Sequence, residues 1–524
     1  MVRPMFETAE LGRTLAKKTF DDLEPSLRVR LLGMQERVRA ARLPVHILIT
    51  GVDGAGKGET VNLLAEWMDP RFLSTTAFGA RTDEEAQRPF FWRFWRTLAP
   101  RGRIGLYFGS WYTEPIVGRV ARIVKPRAFE QRLRQIESFE RMLVDDGALL
   151  IKFWFHLSKK DQRHRIEGLA KDKHTRWRVT PDDLKNLRRY DRFAAVSAVA
   201  LQATSTGPAP WTVIDGKDAR YRSVAVAEHM LDVIGTRLSN MEAAAAQKAE
   251  EAATAPTSAS RTTQMRPLTP LAAPDARLPP TATRTILESV DLSATVTDTF
   301  YEKQLETLQG RLSKVWRKAK ARGTSLSIVL EGWDAAGKGG AIRRLTGSLD
   351  ARDFRIIPIA APTDEEKAQH YLWRFWRHLP PDGCVTIYDR SWYGRVLVER
   401  VEKFCAPDAW LRAYDEINAF EEQLTNDNIV VVKLWLHIDE AEQLRRFTER
   451  ESIEFKSFKI GEEDYRNRGQ WSAYLQAVHD MVARTSTSSA PWTLVPANDK
   501  RVARLEVLRR VCEALEESVQ RSSD

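Results

Sequence analysis

Short apolar runs alternate with longer amphipathic stretches over most of the chain. In the second half the apolar runs cover residues 326–330, 355–359, 385–388, 429–437 and 492–495. Near-continuous apolar strands separated by helical stretches indicate a parallel sheet that is covered by helices on both faces. The pattern predicts an α/β fold of three layers, in which ligands gather at the carboxyl ends of the strands.

The whole pattern occurs twice, at a constant spacing of 281 residues. TDEE stands at 82–85 and 363–366, WRFWR at 92–96 and 373–377, and SWY at 110–112 and 391–393. A spacing that holds over this length without a net insertion indicates tandem duplication of a whole domain.

The repeat divides the chain into three predicted parts. Residues 1–242 form the first domain and residues 285–524 the second, and each is expected to begin with a helical segment. Residues 243–284 are rich in Ala, Thr and Pro and poor in large apolar side chains. This composition cannot bury a core, so we predict a linker whose Ala-rich beginning extends the preceding helix.

A glycine-framed loop follows the first apolar run of each copy, with the sequence GVDGAGKG in the first and GWDAAGKGG in the second. The loop lies between a predicted strand and a predicted helix, the context in which G-x-x-x-x-G-K indicates phosphate binding. In the second copy Gly332 allows a tight turn and Gly337 lets backbone N–H groups approach phosphate. Lys338 adds a positive charge where the helix dipole already favours an anion.

Two features of this loop depart from the ordinary motif. The position after the lysine, where Ser or Thr would hold Mg²⁺, is Gly339, and the loop itself contains Asp334. A carboxylate in an anion site is repulsive unless a divalent cation lies between it and the phosphates. We therefore predict that Asp334 replaces the missing hydroxyl, as a metal ligand directly or through water.

The second copy places Asp389 and Arg390 directly after a predicted strand, whereas the first copy has Phe108 and Gly109 there. An acid at the carboxyl end of a strand suits a second metal ligand, and the neighbouring arginine can neutralise charge on a transferred phosphoryl group. Because the first copy lacks both, we predict that it is degenerate and that the second copy carries the catalysis.

A basic stretch follows His437 in the second copy and runs to the sequence DYRNRGQW. It predicts a helical lid that closes over a polyanion; the alternative is a solvated helix face paired with its own glutamates. The tryptophans of WRFWR are expected to pack in the core, and His156 and His437 are expected to be structural.

Composition limits the partners and the compartment. The 524 residues are 43% hydrophobic and 29% charged, and the length predicts about two to four domains. No apolar run approaches the roughly 20 residues that span a bilayer, and three scattered cysteines are too few for a disulfide framework, so we expect a cytoplasmic protein without membrane or nucleic-acid partners. The net charge of +10 indicates either an anionic partner or only a basic surface without such a partner.

Several motifs of the chain together resemble those of a known family. GWDAAGKGG, WRFWRHLP, YDRSWYGRVLVERV and the basic segment ending in DYRNRGQW are similar to the second family of polyphosphate kinases. The resemblance implies tandem P-loop kinase domains related in fold to thymidylate kinase, each a parallel sheet between helical layers with a helical lid. It implies phosphoryl transfer between inorganic polyphosphate and nucleotides with Mg²⁺, or alternatively Mn²⁺. The duplicated layout resembles the fused class that converts AMP to ADP and keeps catalysis in the second domain.

The resemblance also implies roles for single residues. Asp334 and Asp389 would be the essential acids and metal ligands, and Lys338 and Arg390 would hold the phosphates. Further phosphate or nucleotide contacts are expected from Gly332, Ala335, Ala336, Gly337, Gly339, Arg374, Arg377 and Arg395. The lid residues expected on the polyphosphate are Arg445, Arg446, Arg450, Lys456, Lys459 and Arg468.

Three other functions remain open from the sequence. An ATP-dependent nucleoside monophosphate kinase shares the loop and lid, but the missing Ser or Thr and the aspartate in the loop count against it. A polyphosphate-dependent kinase acting on ADP would use the same residues. A polyphosphate-binding scaffold without turnover suits the first copy better than the second. The sequence leaves homo-oligomer formation open.

Overall fold

The structure is a computed structural model that describes residues 5–179, 181–254, 286–452 and 462–521. The chain divides into two compact units. The first comprises described residues within 1–80, 93–263 and 364–370, and the second those within 81–92, 264–363 and 371–524. Each unit thus includes a short segment from the other half of the sequence.

The first unit is built on a parallel sheet of five strands in the order β2-β3-β1-β4-β5. The strands are β1 (Val45–Gly51), β2 (Leu73–Ala77), β3 (Ile104–Phe108), β4 (Leu149–His156) and β5 (Trp211–Asp215). β1 and β4 are almost wholly buried, as expected for central strands covered on both faces.

Ten helices accompany this sheet in the described part of the first half. They are α1 (Lys17–Ala40), α2 (Lys57–Trp67), α3 (Asp83–Ala86), α4 (Trp92–Thr97), α5 (Thr113–Val120), α6 (Pro126–Asp145), α7 (Lys159–Lys171), α8 (Pro181–Arg188), α9 (Tyr190–Thr204) and α10 (Ala219–Thr254). Leu31 and Val38 of α1 and Val226 and Ile234 of α10 are fully buried against the sheet core.

The second unit repeats the topology with the order β7-β8-β6-β9-β10, again with parallel pairs only. The strands are β6 (Ser325–Gly332), β7 (Phe354–Pro358), β8 (Val385–Asp389), β9 (Ile429–His437) and β10 (Trp492–Pro496). All five strands predicted in this half are present and shifted by two residues at most, which confirms the α/β fold class.

Ten helices are described in the second half. They are α11 (Asp298–Lys320), α12 (Lys338–Thr346), α13 (Asp364–Lys367), α14 (Trp373–Trp376), α15 (Val398–Val401), α16 (Pro407–Asn426), α17 (Glu440–Glu451), α18 (Glu462–Gly469), α19 (Trp471–Thr485) and α20 (Lys500–Arg521). Because β6 pairs with β8 and β9, the loops after these three strands meet at one edge of the sheet.

The segment between the repeats is only partly described. The Ala-rich beginning of the predicted linker continues α10 to Thr254, and the remainder, 255–284, lies outside the described residues. Nowhere in the described ranges is a helix both long and apolar enough to cross a membrane. Cys384, Cys405 and Cys512 are free thiols.

Candidate functional site

The loop between β6 and α12 has a backbone conformation that depends on two glycines. Gly332 has φ 148°, and a Cβ there would lie 2.6 Å from the carbonyl oxygen of Leu436 on β9. Gly337 has φ 111° and caps α12, so the helix starts at Lys338. The N–H groups of Ala335, Gly337 and Gly339 have no backbone acceptor in the described part of the chain. These donors, with the helix dipole behind them, form an anion cradle.

The loop is supported from below by Arg446 of α17, which corrects one of the sequence predictions. Its Nη1 donates to the carbonyl oxygens of Ala335 and Ala336, both at 2.9 Å, and its Nη2 donates to those of Ala497 and Asn498. Nε donates to a Glu442 carboxylate at 2.6 Å, so all five donors are used. Because this side chain is only 1% exposed, Arg446 holds the loop and is not available to a polyphosphate as a lid cation.

Asp334, in the loop, and Arg390, after β8, form an ion pair. Arg390 Nη2 lies 3.2 Å from Asp334 Oδ1, and Asn467 Nδ2 of α18 donates to Asp334 Oδ2 at 3.3 Å. Gln443 Nε2 of α17 donates to the Asp334 carbonyl oxygen at 3.2 Å. The lid helices α17 and α18 therefore both donate hydrogen bonds to Asp334. Sequence reasoning missed Gln443 and Asn467, although the latter is the middle residue of the RNR run.

Lys338 is turned back onto its own loop. Its Nζ donates to the carbonyl oxygens of Gly332 at 2.8 Å and Trp333 at 3.2 Å. Trp333 in turn donates from Nε1 to Nδ1 of His437 at 3.1 Å. Burial lowers the pKa of His437 to about 4, so this ring is a neutral acceptor that orients the loop tryptophan, in line with the structural role expected for it.

A third acid, Glu331, lies at the end of β6 and was missed from the sequence. It is 5% exposed and accepts a hydrogen bond from Ser391 Oγ at 2.7 Å. Burial raises the pKa of Glu331, against the opposing effects of Ser391, Lys338 and Arg390. An acid inside an apolar run was the signal that could have identified it.

Asp389 ends β8 beside Leu330 of β6, so the second acid and the loop share one edge of the sheet. Arg390 has φ 65°, a left-handed conformation that is uncommon for residues other than glycine. Burial lowers the pKa of Arg390, but the charges of Asp334, Glu331 and Asp389 outweigh it and raise the pKa overall. The acids and the arginine thus form one coupled electrostatic cluster at the mouth of the cradle.

The carboxylates of this site suit a metal ion that also binds an anionic substrate. Among the described residues no three His, Cys, Asp or Glu side chains are grouped closely enough to hold a metal unaided. Mg²⁺ commonly takes only one or two carboxylates and completes its shell with substrate phosphates and water. The two loop-edge acids Asp334 and Asp389 fit that requirement.

An apolar pocket adjoins this charged cluster. Trp333, Trp435 and Tyr474 line it together with Leu397 and Val398, and Asp334, Arg390, Gln443 and Asn467 lie on its polar side. Trp333 also stacks on Trp471, with ring centroids 3.7 Å apart and the planes 10° from parallel.

The remaining predicted arginines are distributed around the site. Arg374 donates to the carbonyl oxygen of Ala360 at 3.1 Å, just beyond the end of β7. Arg377 covers the ring of Trp373, and Arg395 covers that of Tyr371 while it pairs with Glu399 at 3.2 Å. The tryptophans of WRFWR are buried, as predicted.

Within the lid, Arg468 donates to the Glu440 carbonyl oxygen at 2.7 Å, and Arg445 pairs with Glu442 and Glu449. Arg450 belongs to the last turn of α17. The predicted lid cations Lys456 and Lys459 lie outside the described residues.

The family model of Polyphosphate kinase 2 (PPK2) matches residues 15–242 and again residues 295–523. The chain belongs to the polyphosphate kinase 2 family. Both halves of the kinase are therefore copies of the same family domain.

Relatives of the kinase match over its whole length. A Pseudomonas aeruginosa protein named polyphosphate:AMP phosphotransferase is 49% identical over 98% of this chain and 99% of its own. An Acinetobacter johnsonii protein of the same name is 36% identical over 92% and 93%. A Mycolicibacterium smegmatis GDP-polyphosphate phosphotransferase is 40% identical but covers 40% of this chain. The crystal structure of a Pseudomonas aeruginosa protein assigned to polyphosphate kinase 2 superposes with TM-score 0.83, 46% identity and coverage of 99% and 100%.

The first copy of the kinase has the loop and the asparagine beside it, but not the acid and the arginine of the second copy. Lys57 donates to the carbonyl oxygens of Gly51 and Val52, and Asn186 donates to Asp53 at 3.0 Å, in the manner of Lys338 and Asn467. At the Arg390 position Gly109 keeps the left-handed backbone, with φ 74°. The two copies therefore share the backbone path at this position but differ in the side chains.

A buried network supports the residues after β8 in the kinase. Trp392 Nε1 and Tyr393 OH donate to Glu421 Oε1 at 3.0 and 2.7 Å, and Lys433 Nζ lies 2.7 Å from Glu421 Oε2. Lys433 also donates to the carbonyl oxygen of Thr485 at 2.6 Å. Burial raises the pKa of Glu421 and lowers that of Lys433, so each charge depends on its partner.

The first copy contains the same network. Trp111 and Tyr112 donate to Glu140, and Lys152 lies 2.7 Å from its other carboxylate oxygen. Both copies therefore retain the network, whereas only the second retains the acid and the arginine that precede it.

Proposed function

We propose that the chain transfers the terminal phosphoryl group of inorganic polyphosphate to AMP, which yields ADP and a chain shorter by one phosphate, and that the second unit performs this reaction. The observation that carries the proposal is the apolar pocket that adjoins the charged cluster at the phosphate loop. Such a pocket suits a nucleoside, and the cluster suits two phosphate groups brought together. The full-length relatives named polyphosphate:AMP phosphotransferase support AMP as the acceptor.

The residues of the second unit supply positioning and charge neutralisation. The loop N–H groups and Lys338 bind the donor end, and Arg390 balances the charge that is shared between donor and acceptor in the transition state. The acceptor phosphate oxygen forms a bond to the terminal phosphorus as the bond to the bridging oxygen breaks. No covalent enzyme intermediate is needed, because alignment of two bound reactants supplies much of the acceleration.

Membership of the kinase family indicates a divalent metal, and we propose Mg²⁺, with Mn²⁺ as a substitute. Asp334 and Asp389 would hold it, and it would supply positive charge between the carboxylates and the phosphates. We also propose a cytoplasmic location, since the three cysteines are free thiols.

Turnover with separate acceptors tests the proposal. With long polyphosphate and Mg²⁺, we expect rapid formation of ADP from AMP and little ATP from ADP. ATP offered as donor in place of polyphosphate is expected to be poorly used, because the loop lacks the hydroxyl of an ordinary nucleotide-binding loop. Preference for ADP would reassign the acceptor, and efficient use of ATP would make the protein a nucleoside monophosphate kinase. Tight polyphosphate binding without any turnover would indicate a polyphosphate-binding scaffold protein.

Lys57→Ala and Lys338→Ala form a matched pair that assigns the reaction to one copy. Both lysines donate to two carbonyl oxygens of their own loops, and Lys57 also lies 3.5 Å from Asp53, so the two changes remove similar local contacts. We expect Lys57→Ala to keep kcat within about twofold and Lys338→Ala to lower it by about a hundredfold or more. A comparable loss in both variants would show that the first copy takes part in catalysis.

A further inference from the structure

A second basic pocket lies beside the phosphate loop, at the start of α20. Lys500 and Arg504 are four residues apart in the first two turns of this helix and share one face. With Arg445 of α17 they line a pocket whose floor includes the buried Arg446. None of these three cations belongs to the charged cluster around Asp334 and Asp389.

The pocket borders the phosphate loop directly. Arg446, on its floor, donates to the carbonyl oxygens of Ala335 and Ala336 in the loop. The guanidinium of Arg504 lies 3.4 Å from the position that a Cβ would take on Gly340, in the first turn of α12. A polyanion held in the cradle can therefore continue past Gly340 into this pocket.

Positive charge exceeds negative charge in the pocket. The acids that face it are already paired: Glu442 and Glu449 bind Arg445, and Asp499 binds Arg501. Asp298 also pairs with Arg501.

Two cations of the pocket are left without a close acid. Lys500 comes no nearer to an acid than 4.0 Å from Glu449, and Arg504 forms no hydrogen bond or ion pair with the residues in the described ranges. Burial and then the neighbouring charge of Arg446 lower the pKa of Lys500. An anion would relieve this repulsion.

The first copy provides an internal comparison. At the positions of Arg445, Lys500 and Arg504 it has His164, Ala219 and Ser223. It nevertheless forms the same five-stranded sheet and the same loop. The first copy instead places Arg222 beside its loop, where it binds Thr60, Glu59 and the carbonyl oxygen of Gly216. Arg445, Lys500 and Arg504 thus accompany only the copy that has Asp389 and Arg390.

We propose that Arg445, Lys500 and Arg504 form a second phosphate subsite, which binds a part of the polyphosphate donor several phosphates away from the transferred group. The proposal rests on the proposed function. A flexible chain that reaches both the cradle and the subsite gains affinity by binding at two linked places, whereas a short donor reaches only the cradle. The subsite would make the kinase prefer long chains, and this preference would weaken as salt screens the contacts.

The test uses the double variant Lys500→Ala/Arg504→Ser, which installs the residues of the first copy. Steady-state kinetics with AMP are measured with a long polyphosphate and with a short oligophosphate. We expect the ratio of kcat/KM for the long donor to that for the short donor to fall roughly tenfold. Direct binding of long polyphosphate without acceptor is expected to weaken by a similar factor.

The control is Arg509→Ala/Arg510→Ser, which removes two positive charges from exposed positions of the same helix, where both side chains pair with Glu506. An equal fall in the ratio for both double variants would mean a general electrostatic effect and overturn the subsite. So would an unchanged ratio with unchanged binding, or a raised KM for AMP alone, which would place the acceptor there. Absence of turnover in the wild type would contradict the proposed function, while the binding measurement would still test the subsite.

Discussion

Asp389→Asn is expected to lower kcat by at least about a hundredfold while the protein stays folded. The Asp389 side chain forms no hydrogen bond or ion pair within the described ranges, and asparagine has the same shape, so the fold has little reason to change. What is lost is one negative charge in the cluster that includes Asp334 and Arg390. Kinetics over a range of Mg²⁺ concentrations check the result, because loss of a metal ligand should also raise the Mg²⁺ requirement.

Asp408→Asn is the control for this change, since Asp408 is an exposed acid near the start of α16 and its nearest cation, Arg412, is 3.7 Å away. It should leave both kcat and the Mg²⁺ requirement unaltered. Near-normal turnover in Asp389→Asn, with a normal Mg²⁺ requirement, would remove Asp389 from the site.

Lys433→Met is expected to produce the largest loss of stability. The Lys433–Glu421 pair is fully buried, and removal of one partner of such a pair typically costs about 3–5 kcal/mol because the other charge is left uncompensated. The Glu421 carboxylate would keep Trp392 and Tyr393 as donors but lose its only counter-ion in the described part of the chain. Urea or thermal unfolding of the second unit measures the change in the free energy of unfolding.

The chain offers two controls for that result. Lys152→Met removes the equivalent lysine from the first unit and should destabilise that unit by a similar amount. Arg311→Met breaks the Arg311–Glu516 pair, which is more than a third exposed on both sides, and pairs of this kind contribute at most about 1 kcal/mol. If Lys433→Met is no more harmful than Arg311→Met, the buried network does not stabilise the unit.

Much of the fold, and the placement of Asp389 and Arg390 beside the loop, could be predicted because the relevant signals are local. Apolar runs locate β6 and β9, and the glycines of the loop reflect backbone angles that other residues rarely adopt. The acid and arginine after β8 follow from strand order alone, since β6 and β8 are neighbours.

Other features depend on packing that no local pattern shows. In the sequence, Arg446 resembles any other cation of a basic helix. Only the structure shows that α17 packs against the loop and that all five donors of Arg446 are used there. The grouping of residues 81–92 with the second unit and 364–370 with the first likewise leaves no trace in composition or periodicity. Lys500 and Arg504 follow β10, far along the chain from the loop that they border.

The left-handed turn at Gly109 and Arg390 has a consequence for how related domains can be recognised from sequence. The first copy has the buried network of Trp111, Tyr112, Glu140 and Lys152 but lacks the acid and the arginine before it. Glycine then occupies the left-handed turn without the strain that arginine bears there. We therefore predict that an intact SWY network preceded by glycine, in place of the acid–arginine step, marks catalytically inactive domains among the fused members of this family.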